Sequence, residues 1–200
     1  MVGDVPGEVL LVAGEGGVVF GGSGGECLTC SYDVVVPVRG GVGRVEGRVS
    51  VFLALASYYV RRVLAGVGSC PMPFAEGLAY YLAFLASRSL DEEVHDYLAG
   101  LLGSVSVEDA LKVLAEYGDL IVDSGYRVVL RSGEVGDVAE ALREVVGKSV
   151  RLKEDVRACA AMGKYVMMVF EDAGVGGEGG GTLKEVLEAA PKVLSPICRQ

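Results

Sequence analysis

The chain has 200 residues, of which 51% are hydrophobic, 7% aromatic and 22% charged, and this composition excludes a disordered polar segment. Its length fits one domain or two small ones. The net charge of −9 disfavours a stand-alone module that binds nucleic acid through a net positive field.

Short strands and then apolar helices are predicted in the first half of the chain. Valine-rich runs between glycine clusters indicate strands at Glu8–Ala13, Val18–Phe20, Tyr32–Val38 and Arg44–Ser50. Helices are predicted at Val51–Leu64, Phe74–Ser87 and Asp91–Leu102. The apolar runs in the first two are too short for a bilayer, which needs about 20 residues, so we expect buried helices and no membrane span. These elements predict an N-terminal α+β domain over residues 1–103.

Capping, terminating and turn residues mark the ends of the elements that follow residue 104. Ser106 to Asp109 resembles a capping box, and the helix that it opens should end at Gly118. Leu120–Val122 and Tyr126–Leu130 then predict two strands joined by a tight turn at Ser124-Gly125. Another capped helix should begin at Asp137 and end at Gly147.

The last third is predicted to contain a helix, a buried strand and a tail. The alanines of Lys153–Met162 favour a helix, and the β-branched and aromatic residues of Lys164–Phe170 favour a strand. Gly174–Gly181 reads as a flexible linker, and Thr182 to Glu185 should cap a final helix that stops before Pro191. The fold class predicted is therefore α+β, with a small mixed-sheet domain at residues 104–173 and a linker with a tail helix at 174–200.

The cysteines and the histidine give no defensible catalytic or metal site. Five cysteines, an odd number, in a chain without a secretion-signal pattern disfavour a disulfide framework and favour a cytoplasmic location. Cys27 and Cys30 form one C-x-x-C, but zinc would require a second pair or histidines. His95 is the single histidine, and a solvated or intrahelical contact is its simplest role. We therefore predict no metal, no cofactor and no catalytic residue.

Two glycine-rich segments resemble motifs of the GHMP family of small-molecule kinases. Pro6 to Glu15, followed by Val18 to Gly21, resembles the opening motif, and Ala173–Gly181 resembles the closing one. The family's central phosphate loop would fall at Gly68–Pro73, in front of a helix whose N-terminus holds the anion. The resemblance implies a shortened kinase, and this alternative stays open.

A second resemblance covers residues 74–174. The helix ending Leu114-Ala115-Glu116-Tyr117-Gly118, followed by Leu120–Gly125, resembles the archaeal tRNA-splicing endonuclease family. Glu76–Leu82 is similar to a helix of that family's N-terminal domain. Val156–Lys164 is similar to its late basic helix, and Phe170–Gly174 to the acidic loop by which its subunits dock.

The resemblance implies a non-catalytic structural subunit of a nuclease-like fold. Catalytic subunits use a Tyr, a His and a Lys, but here the tyrosine position falls at Val129 or Leu130, no histidine follows His95, and Lys164 stands alone. The implied function is part of a heterotetramer that removes introns from precursor tRNA, together with a catalytic subunit.

The same resemblance suggests which residues make contacts. Precursor tRNA phosphates would meet the basic residues Arg151, Lys153 and Arg157. The partner subunit would contact Tyr165, Val166, Met168, Phe170, Glu171 and Asp172. An α+β protein-interaction module without RNA is the remaining alternative.

Overall fold

The computed structural model describes residues 9–13, 34–38, 42–123, 127–131, 137–176 and 181–198. Seven helices dominate this part of the chain: α1 Val45–Val67, α2 Met72–Leu90, α3 Glu92–Gly103, α4 Val107–Tyr117, α5 Val138–Glu154, α6 Val156–Asp172 and α7 Leu183–Cys198. The strands are short: β1 Val9–Ala13, β2 Val34–Val38, β3 Cys70–Pro71, β4 Leu120–Val122 and β5 Val128–Leu130. The fold is mostly helical, so the predicted α+β fold with a nuclease-like mixed sheet is wrong.

The strands form two small sheets. β1 and β2 pair in parallel, from Val9 opposite Val34 to Ala13 opposite Val38. β3, β4 and β5 form an antiparallel sheet in that order, with Ile121 opposite Val129. Strands at 120–122 and 128–130 confirm the predicted pair, whereas its turn at 124–126 and the predicted strand Val18–Phe20 lie outside the described residues.

α2 is the central helix, and 13 of its 19 residues are buried. It packs against α1, α3 and α6, and its Tyr81 ring lies 5.8 Å from the Phe170 ring of α6. One continuous core extends from Val49 to Cys198. Residues before and after position 103, the predicted domain boundary, therefore contribute to the same core.

Two glycines make the closest contact between α2 and α6. A Cβ atom on Gly77 would lie 2.6 Å from the backbone carbonyl of Met162, and a Cβ on Gly163 would lie 2.9 Å from the Cβ of Tyr80. Real Cβ atoms do not come that close to other atoms. The two helices can therefore cross at this distance only because both positions lack a side chain.

α6 is the main correction to the predicted elements. The segment Lys164–Phe170, predicted as a strand, is helical to Asp172. Met162, Val166 and Phe170 are spaced by four and are all completely buried, so one helical face supplies the core. Burial of that face outweighs the strand preference of the individual residues.

α1 begins six residues before the predicted start. Arg44–Ser50, predicted as a strand, forms its N-terminus, and the buried positions Val49, Ala56, Val60 and Val63 follow one helical face. With 23 mostly apolar residues, α1 is long and apolar enough to cross a bilayer. The shorter predicted helix was not. Length and composition alone are weak support for a span, because a core helix of a soluble protein meets the same criterion.

α7 continues through Pro191, where it was predicted to stop. A capping pair begins it as predicted: the Thr182 N–H donates to Glu185 at 2.8 Å, and the Glu185 N–H donates to the Thr182 hydroxyl at 3.2 Å. The buried face that includes Ala190 continues beyond the proline with Leu194 and Cys198. Tertiary packing therefore offsets the hydrogen bond that the proline removes.

Cys70 and Cys198 form a disulfide, which contradicts the expectation of reduced cysteines. The bond joins β3 to the end of α7 across 128 residues. Cys159 is free and buried, and Cys27 and Cys30 lie outside the described residues. An odd number of cysteines therefore does not exclude a disulfide.

Replacing Gly77 by Ala should destabilise the protein by about 1–3 kcal/mol, because the added methyl meets backbone that cannot move without separating α2 from α6. Gly100→Ala in α3 is the matched control, since nothing lies within 4 Å of a Cβ there. It should stabilise the protein by about 0.5–1 kcal/mol. Urea denaturation of the two variants measures both changes, and equal stabilities would contradict the close crossing.

Cys198→Ser should lower the free energy of unfolding by about 2–5 kcal/mol, because the bond restricts a long loop in the unfolded chain. Thermal unfolding of the wild type with and without dithiothreitol provides the comparison. Reductant should lower the wild-type Tm and leave that of the variant unchanged. A wild-type Tm that does not respond to the reductant, with reduction verified by thiol titration, would contradict this stabilising role.

Candidate interaction surface

α5 lies on the surface and carries an uncovered line of apolar side chains. Asp137 caps the helix by accepting a hydrogen bond from the Ala139 N–H at 2.8 Å, and Leu152 is its single buried residue. Val138, Leu142, Val146 and Val150 are 71%, 59%, 59% and 45% exposed. We call these four residues the α5 ridge.

The spacing of the ridge suits a helical partner. Residues four apart on a helix form a continuous row, and such rows fit the grooves of a second helix. Twelve residues separate the ends of the ridge, a length of about 18 Å. Other exposed aliphatic side chains, such as Leu90 and Leu111, lie singly on other elements. The ridge is thus the one described helix row of four exposed aliphatic residues.

Charge is unevenly distributed along residues 137–157, which comprise α5, its two caps and the start of α6 and are called the α5 segment below. Residues 137–146 contain three carboxylates and one guanidinium, a net charge of −2. Residues 147–157 contain four cations and two carboxylates, a net charge of +2. Lys148 pairs with Asp119 at 2.9 Å and with Glu144 at 3.4 Å, and these contacts raise its pKa. The segment is neutral as a whole in a chain of charge −9.

The three predicted RNA-binding residues each face an acceptor within the chain. Lys153 Nζ lies 3.7 Å from Glu76 Oε1, and Arg157 lies 3.6 Å from Asp109 Oδ2. Burial raises the pKa of Tyr117, and the neighbouring Arg151 guanidinium opposes that rise. Arg157 is 71% exposed, so its contact is a weak surface pair. Phosphate binding by these residues stays a prediction.

The predicted subunit-interface residues divide between core and surface. Val166 and Phe170 are completely buried, and the Tyr165 ring packs 5.8 Å from that of Phe74. Met168, Glu171 and Asp172 are on the surface, at the last turns of α6. Because α6 is a helix, these six residues do not share one face.

The segment proposed as a kinase phosphate loop does not form an open anion site. Cys70 and Pro71 belong to β3, and Cys70 is held in the disulfide. Met72 and Phe74, at the start of α2, are buried. The N-terminus of α2 therefore faces protein. Most of the opening motif and residues 177–180 of the closing one lie outside the described residues.

Sequence reasoning missed the α5 ridge because it ended the helix at Gly147. That glycine is accommodated inside α5, and the helix runs on to Glu154. The signal was present in the repeat of aliphatic residues at 138, 142, 146 and 150. Ending the helix at 147 removed the last member of the row.

Comparison with known proteins adds no assignment. No protein-family model, curated protein or solved structure matches this chain. In the part of the chain that the structure describes, no three potential metal ligands come together. The functional argument therefore rests on the surfaces of the protein itself.

Proposed function

We propose that this protein is a non-catalytic helical subunit that assembles with a second copy of itself through the α5 ridge. The exposure of four large aliphatic side chains in one row carries the proposal. Soluble proteins seldom leave such a row in water, and rows of this kind mark interaction sites. In addition, one of the 17 residues of α5 is buried, so packing within the chain contributes little to the stability of this helix.

The charge pattern of α5 favours a second copy as the partner. A two-fold axis through the middle of the ridge would place two α5 helices in opposite directions, the arrangement that an isologous interface requires. The acidic first half of each helix would then face the basic second half of the other. The helix dipoles would also oppose each other, which is favourable.

The location of the ridge limits repulsion between the two chains. With a net charge of −9 on each chain, most surfaces would repel each other. The α5 segment is neutral, so pairing there keeps the acidic surfaces apart. Self-association at the ridge therefore avoids direct contact between two strongly acidic surfaces.

The environment of His95 supports a non-catalytic role. Its ring stacks on that of Phe84 with centroids 4.5 Å apart, and its Nδ1 lies 3.2 Å from the Phe84 carbonyl oxygen. The chain has no other histidine. Ser87 Oγ lies 3.5 Å from the same Nδ1 but donates its proton to the Phe84 carbonyl oxygen at 2.9 Å. The ring therefore positions helix α3 against α2.

Assembly with a catalytic tRNA-splicing endonuclease subunit is a separate proposal with a different partner. It rests on the sequence resemblance, and the strand that the resemblance relied on is part of helix α6. Co-expression with such a catalytic chain, followed by a cleavage assay on intron-containing precursor tRNA, tests it. A mixed complex that cuts the precursor only when both chains are present would support it.

Leu142→Glu and Val146→Glu should each convert a dimer into a monomer, because the interface would then bury an unpaired carboxylate. Light scattering coupled to size exclusion measures the mass of each protein. The wild type should show twice the mass of 20.8 kDa, and the variants that mass itself.

Leu111→Glu on α4 is the matched control. Leu111 is 53% exposed, similar to the ridge residues, but lies outside the ridge. This variant should stay dimeric. A wild type that is monomeric at about 100 μM, a concentration that detects dissociation constants weaker than micromolar, would refute the self-association. Loss of the dimer in all three variants would refute the assignment to α5.

A further inference from the structure

A cleft of about 490 Å³ opens between α1, α2, α3 and the junction of α5 with α6. Its volume lies in the range of small-molecule sites, roughly 300–1,000 Å³. Apolar side chains from four helices line it: Val49, Leu53 and Ala54 of α1, Ala79 of α2, Leu101 of α3 and Val156 of α6. These side chains could enclose the apolar body of a ligand.

Glu76 supplies a carboxylate on the α2 side of this cleft. Its side chain is 16% exposed, and burial raises its pKa, while Lys153 opposes that rise. The 3.7 Å between the two groups is long for a charge-assisted hydrogen bond. Because the side chain of Lys153 is 49% exposed, solvent screens this pair. Glu76 is therefore incompletely compensated.

Tyr80 adds a hydroxyl group to the same side of the cleft. The residue is 6% exposed, lines the cleft one helical turn after Glu76, and no described residue hydrogen-bonds its hydroxyl. Burial raises the pKa of Tyr80, so its hydroxyl stays protonated. By contrast, the thiol of Cys159 donates to the Leu152 carbonyl at 3.1 Å. The oxygen of the Tyr80 hydroxyl can therefore accept a hydrogen bond from a ligand in the cleft.

The charges of the cleft favour a cation. Glu46, Glu76 and Glu154 line it with Lys153 as the one cation. The hydroxyl of Ser50 donates to its own helix, at the Glu46 carbonyl. A ligand carboxylate or phosphate would meet three carboxylates, whereas an ammonium group would relieve the excess negative charge.

We propose that the cleft is a binding site for an organic ammonium ion with an apolar body. The ammonium group donates to the Glu76 carboxylate and to the Tyr80 hydroxyl oxygen. The apolar body lies between Leu53 of α1 and Leu101 of α3. The ridge residues of α5 do not line this cleft, so the proposal stands or falls independently of the dimer.

The test is titration calorimetry of the full chain with 4-phenylbutylamine. 4-Phenylbutanol and 4-phenylbutyrate have the same apolar body with a neutral or an anionic head group. The amine should bind at least tenfold more tightly than the alcohol, and the carboxylate least tightly. Equal affinities for the amine and the alcohol would overturn the proposal.

Two variants locate the bound ammonium. Glu76→Gln keeps the size of the side chain and should weaken amine binding at least tenfold while leaving alcohol binding unchanged. Glu116→Gln, an exposed glutamate of α4, removes the same charge outside the cleft and should have no effect. If Glu76→Gln does not fold, Tyr80→Phe decides, since it removes one oxygen and should weaken amine binding severalfold. Unchanged amine affinity in the variant that decides would overturn the proposal.

Discussion

The close crossing of α2 and α6 at Gly77 and Gly163 is the contact on which the rest of the structure depends. With no Cβ at either position, the two backbones approach closely enough for Tyr81 and Phe170 to pack across them. α1 and α3 also pack on α2, so that helix is covered on most sides. The crossing brings the start of α6 beside the first turns of α2. Lys153 can reach Glu76 for that reason, and the cleft opens above this pair.

The same crossing leaves α5 with little to pack against. α6 occupies much of the surface of α2, so α5 contacts α2 only slightly and packs mainly against α6 and the β4–β5 pair. Leu152 anchors it near its end, and Lys148 binds Asp119 at 2.9 Å near its middle. The first turn of α5 lies farthest from both contacts, and its Val138 is the most exposed apolar residue of the helix.

Local signals in the sequence predicted the ends of several elements well. The capping box of Ser106 and Asp109 confirms the start of α4, and Asp91 caps α3 through the Val94 N–H at 3.1 Å. The failures came where tertiary burial opposed a local preference, as in the valine- and tyrosine-containing end of α6 and at Pro191 in α7. The disulfide and the cleft each join residues distant in sequence, and no local pattern reports such contacts.

The two proposed sites use different parts of one helix. The ridge occupies α5 from Val138 to Val150, whereas Lys153 and Glu154 in its last turn line the cleft. Leu152, the buried anchor, lies between them in sequence. The packing of Leu152 against the core therefore holds in place the turn that separates the ridge from the cleft.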